Sequence, residues 1–139
     1  MRAVLSAILI IVGAFASLAP ARADEVEVLS GDAIKIGQNE WRIANIDAPK
    51  IDGKCQGERQ LARLSQAKLA EFLAQGDMEI TPTGERDEDG RPMARVHMNG
   101  EDVGDKMVAV SLAQRHGSAR PLCPRDSDQM QMNTMGGMR

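Results

Sequence analysis

From residue 25 the chain alternates charge with β-branched residues. Glu25-Val26-Glu27-Val28 has the period of two that marks a half-buried strand. Ser30-Gly31-Asp32 interrupts it. Ile34 and Ile36 then alternate with Ala33 and Lys35 in a second strand, and Gly37-Gln38-Asn39 makes a turn. Trp41 and Ile43 continue the alternation through Ile46, and Pro49 ends this third strand because proline has no N–H for a ladder. The period then changes. Over 56–75, Leu61, Leu64, Leu69, Phe72 and Leu73 fall on one broad face at 100° per residue, which predicts a helix, with Gly76 as its stop. Met78 and Ile80 mark a fourth strand, 83–90 a charged turn, and 93–98 a fifth strand closed by the hairpin signal Asn99-Gly100. A short second helix is expected from Val103, passing into an irregular stretch by Gln114.

Three strands, a helix, two strands and a helix give an α+β chain. The strands can all pair antiparallel, and closing them removes exposed edges while the helix plugs one end. The expected architecture is therefore a five-stranded antiparallel OB-fold barrel, with one helix between strands three and four and a short C-terminal helix. It occupies 24–123. The tail 124–139 has no periodic apolar face and is expected to be disordered.

Residues 1–23 read as a cleavable export signal. Arg2 precedes an apolar run over 3–19, and Ala21-Arg22-Ala23 puts small residues at the two positions that a signal peptidase requires. The folded part is expected outside the cytoplasm, periplasmic or secreted, as a monomer with no stable membrane association after cleavage. The chain carries 17 Lys+Arg and 20 Asp+Glu, a net −3; without Arg2 and Arg22 the balance is 15 to 20, a net −5. Binding nucleic acid by bulk positive charge is excluded. One Trp, two Phe and no Tyr also argue against a stacking platform for single strands.

Cys55 and Cys123 are the only cysteines in the chain, too few for a disulfide-dense scaffold or a four-thiolate zinc site. In an oxidising compartment an internal disulfide is favoured over free thiols or an intermolecular pair. Met130, Met132, Met135 and Met138 in the tail raise a separate possibility, Cu(I) handling by thioethers. His97 and His116 stand alone, with no partner evident in the sequence.

Four short pieces, in order, resemble the staphylococcal nuclease-like (thermonuclease) family over about 26–123. Ser30-Gly31-Asp32-Ala33-Ile34 resembles its Asp-Gly-Asp-Thr-hydrophobic turn. Arg42-Ile43-Ala44-Asn45-Ile46-Asp47-Ala48-Pro49 resembles its Arg-to-Asp-(Thr/Ala)-Pro-Glu segment. Asp87-Glu88-Asp89-Gly90-Arg91 resembles its Asp-x-Tyr-Gly-Arg turn. Gly100-Glu101-Asp102-Val103, with Met107-Val108 and Leu112-Ala113, resembles the segment that closes the domain. The resemblance implies Ca²⁺-assisted cleavage of phosphodiesters, with Arg42 and Arg91 on the phosphate and Asp32 and Asp47 on the metal. That set has a clear physical logic. Guanidinium forks suit phosphate oxygens, a hard cation stabilises growing charge, and a carboxylate takes the proton from water. Extracytoplasmic relatives also resemble this chain in placing a cysteine near the helix start and another near the domain end.

The departures from the pattern change the expected chemistry. The family's general-base glutamate falls on Lys50, which changes the local charge by two units. A protonated lysine accepts no proton, and at ~5 Å and an effective dielectric of ~20 it repels each unit of cation charge by about 3 kcal/mol. It is free to pair with Asp32 and Asp47 in the metal's place. Asp89 replaces the family's tyrosine and Ala33 its threonine. Asp52, two residues past Lys50, is a displaced candidate for the base. Sequence and resemblance together predict an exported domain that binds nucleic acid or nucleotide phosphate, with its nuclease activity weakened or lost. An active Ca²⁺-dependent phosphodiesterase on DNA or RNA is the alternative.

Overall fold

A computed structural model describes residues 25–118 and 121–123. The leader 1–23 and the methionine-bearing tail from 124 lie outside the described residues, and so do the expectations of export, disorder and Cu(I) handling placed on them.

The chain runs β1 (Val26–Ser30), β2 (Ala33–Ile36), β3 (Asn39–Ile43), β4 (Ile46–Asp47), α1 (Gln56–Leu73), β5 (Met78–Arg86), β6 (Pro92–Met98), β7 (Glu101–Asp102), α2 (Val103–Ala109) and β8 (Gln114–Arg115). The α+β class with two helices is as expected, but the sheet is mixed and not wholly antiparallel. Its order is β1-β2-β3-β6-β5, with β7 paired to β6, and β3 runs parallel to β6 with Arg42 opposite Met93 and Ile43 opposite Ala94. Element order does not dictate which arm of the β5–β6 hairpin meets β3. The inner arm is β6, where Met93, Ala94, Val96 and Met98 are buried. The edge arm is β5, which tolerates Pro82 and is exposed along most of its length.

Two expected boundaries shift, and so does one buried face. The third strand breaks at Ala44-Asn45, and its continuation, β4, leaves the main sheet to pair with β8. The fourth strand extends through Arg86, into the span read as a charged turn. The helix α1 buries Ala62, Ser65, Leu69 and Phe72, while Leu64, expected in the core, is 60% exposed. Small residues win this face because the β1–β2 turn comes very close. A Cβ on Gly31 would lie 1.8 Å from Ser65 Oγ and 2.8 Å from the Ala48 Cβ. Glycine is therefore a packing requirement there.

The core joins Ile34, Ile43 and Ile46 to Leu69, Phe72, Val96, Met98, Val103, Met107 and Ala113. Burying one such large apolar side chain contributes about 2 kcal/mol. The Asn99-Gly100 signal holds, with φ of 51° and 83° at the two turn positions between β6 and β7. Asp102 then caps α2 by accepting from the Asp105 N–H. Its nearly buried carboxylate also accepts from Asn45 and Arg95, with His97 Nε2 3.6 Å away. Burial pushes the Asp102 pKa up, but the Asp105 N–H, Asn45 and Arg95 outweigh it and hold the group below the usual carboxylate range. A disulfide joins Cys55, just before α1, to Cys123, closing a 68-residue separation.

Candidate phosphate-binding site

The β1–β2 turn, β3 and the β4 strand converge on one guanidinium. Asp32 leaves the turn with Oδ1 accepting from Ser30 Oγ at 2.8 Å and Oδ2 from the Ala48 N–H at 2.8 Å. Arg42 lies on β3 opposite Ala33, one residue beyond Asp32. Its Nη2 reaches Asp32 Oδ2 at 3.0 Å and Asp47 Oδ1 at 2.6 Å. The Arg42 side chain is only 18% exposed. Its Nε is buried and meets no acceptor.

Asp47 is held from the far end of the domain. His116 Nδ1 lies 2.9 Å from Oδ1, and the Gly117 N–H donates to Oδ2 at 2.9 Å. The pairing of Asp47 with Gln114, and the bond from the His116 N–H to Asn45 O, bring that segment in. Burial pushes the Asp47 pKa up. Bonds from His116 and Gly117, and the charges of His116 and Arg42, overcome it and keep the carboxyl below its ordinary range.

Arg91 follows the tight turn at Gly90, where φ is 79°. Asp87 grips it twice, through the Arg91 N–H at 2.8 Å and through Nε at 2.7 Å. Asp89 approaches Nη2 at 3.4 Å. Burial raises the Asp87 pKa, and the backbone, side chain and charge of Arg91, with the Asp89 N–H, bring it below the usual range. The β3–β6 register places Arg91 two residues before the partner of Arg42.

Lys50 is exposed and enters no ion pair among the described residues. The expected pairing of Lys50 with Asp32 and Asp47 is not found, because Arg42 takes both carboxylates from within the sheet. Instead the Lys50 N–H donates to Glu58 Oε1 at 3.3 Å, and Glu58 Oε2 accepts from the Lys54 N–H at 3.1 Å. Asp52 is exposed on the same loop. The structure thus brings Asp32, Arg42 and Asp47 into direct contact and leaves Arg91 in a separate cluster with Asp87 and Asp89. His116, Gly117 and Glu58 are contributors that sequence reading missed. The only sequence signal was the presence of an isolated histidine, since its partner stands 69 residues away.

A family model for staphylococcal nuclease homologues matches residues 40–134. The chain belongs to that family. Arg42, Asp47, Lys50 and Arg91 lie within the matched span, and Asp32 precedes it. No curated protein matches the chain. Membership points to a nucleic-acid-related function, and family members typically use Ca²⁺. A resident Ca²⁺ takes six to eight oxygen ligands. Here all four oxygens of Asp32 and Asp47 already accept from protein donors, and a guanidinium stands between the two groups. This donor set does not fit that ion. Among the described residues, Cys55, Glu58 and Cys123 gather as a possible metal cluster, but both cysteines are consumed in the disulfide.

Proposed function

We propose that this domain binds the phosphate groups of nucleic acid or nucleotides through Arg42 and Arg91, and that its hydrolytic power is weakened or lost. Lys50 carries the reading. An ammonium without an ion pair among the described residues stands where the family pattern has its proton acceptor. It attracts phosphate and takes no proton from water. The anchored fork of Arg91 adds directed donors. We take the sheet to close as an OB barrel over 24–123, and the chain to act outside the cytoplasm after loss of 1–23.

The test has two arms. A nucleoside 3′,5′-bisphosphate titrated by calorimetry is expected to bind wild type and to bind Lys50→Glu about tenfold more weakly. DNA and RNA incubated with concentrated protein and Ca²⁺ are expected to stay intact, and Lys50→Glu is expected to restore cleavage in part at most, because Asp89 and Ala33 also differ from the pattern. Strong cleavage by wild type that a chelator abolishes would overturn the proposal in favour of an active phosphodiesterase.

A further inference from the structure

We infer that the guanidinium of Arg42 is the resident cation between Asp32 and Asp47, so that this homologue holds no divalent ion there and takes phosphate without one. The metal half of the inference stands on the geometry alone, while the phosphate half rests on the function proposed above. Arg42 Nη2 bonds both carboxylates, at 3.0 Å and 2.6 Å. A divalent ion between those groups has to displace a partly buried, always-charged side chain rooted in β3.

The remaining donors are mostly fixed. The Ala48 and Gly117 N–H groups aim at one oxygen of each aspartate and belong to the backbone. Each points the positive end of its dipole at that oxygen and weakens its attraction for a metal. Ser30 Oγ and His116 Nδ1 cover the other two oxygens. Lys50 places another positive charge on the loop that follows β4. Two carboxylates against one guanidinium, with an ammonium close in sequence, leave little negative potential to recruit Ca²⁺.

The inference makes an unusual demand on one substitution. Arg42→Met removes the internal cation and leaves two aspartates facing each other, so it should create a divalent-cation site that wild type lacks. Calcium is titrated by calorimetry into wild type, Arg42→Met and Arg42→Met/Asp32→Asn. Wild type is expected to show no saturable uptake into the millimolar range. Arg42→Met is expected to bind Ca²⁺ at least about tenfold more tightly, and the added Asp32→Asn to abolish that gain. Saturable Ca²⁺ binding by wild type, or no gain in a folded Arg42→Met, overturns the inference.

Should Arg42→Met fail to fold, the wild-type guanidinium NMR signals decide. An Arg42 resonance that stays fixed through the calcium titration supports the assignment, and one that shifts as the ion enters refutes it. The bisphosphate is then titrated into wild type with chelator and with excess Ca²⁺. Equal affinities are expected. Binding only with Ca²⁺ refutes metal-free recognition, whereas no binding under either condition sinks the proposed function and leaves the Arg42 assignment to the metal titration.

Discussion

Arg42 and Arg91 carry the same chemistry in the sequence and different duties in the fold. Arg42 is nearly enclosed between two aspartates that are themselves anchored by backbone N–H groups. Arg91 sits at the end of a turn, and Asp87 fixes its backbone and its Nε. The first arginine neutralises the structure's own charge, and its buried Nε meets no acceptor. The second is oriented chiefly by one aspartate, whose Oδ1 also accepts from the Asp89 N–H. A guanidinium shared by two acids, one buried and one half-buried, is first a structural cation. One pinned along a single edge is already oriented for the recognition proposed above.

Four measurements break or sharpen that contrast. The largest effect lies outside both arginines and sets the scale. Cys55→Ser frees a 68-residue closure and is expected to cost about 4 kcal/mol in urea melts, by the chain-entropy account. Arg42→Ala leaves Asp32 and Asp47 facing each other and is expected to cost about 2 kcal/mol, a buried-pair value discounted for partial exposure. Arg91→Ala is expected to cost about 1 kcal/mol or less. Equal losses from the two would erase the distinction.

Affinity for a nucleoside bisphosphate should rank them the other way. Arg91→Ala is expected to weaken it about tenfold, and Arg42→Ala about threefold once folding is taken into account. Acid stability gives the smallest and most selective signal. Asp47 and Asp87 both titrate below their ordinary range in the folded state. The stability each contributes is complete above the unfolded carboxyl pKa of about 4, and is lost as pH falls through the depressed folded value. The Arg91 side chain gives Asp87 a hydrogen bond and a charge, beside backbone N–H groups that survive its removal, whereas Arg42 ranks last among the influences that lower Asp47. Urea melts at neutral pH and at about pH 3 should therefore show a flatter acid limb in Arg91→Ala than in Arg42→Ala.

The positions of the strands and helices were largely legible because periodicity is local. The alternation at Val26–Ser30 and the helical spacing over Gln56–Leu73 reflect which face of each element meets the core. The misplacement of Leu64 shows the limit. Which stripe of an amphipathic helix goes inward depended on the approach of Gly31 to Ser65, a contact between elements far apart in sequence. The motifs likewise identified Asp32, Arg42, Asp47 and Arg91, but not how they divide.

By itself the sequence determined the α+β class, the family, the Asn99-Gly100 hairpin and the ammonium at Lys50. These depend on residue type and on spacing along a few turns of chain. Tertiary structure alone decided that β6 lies parallel to β3, that Arg42 rather than Lys50 answers both aspartates, and that His116 and Gly117 close on Asp47. The physical reason is range. Hydrophobic periodicity acts within an element, whereas an ion pair is chosen among all charges that folding brings within a few ångströms, and the shortest, least solvated partner wins.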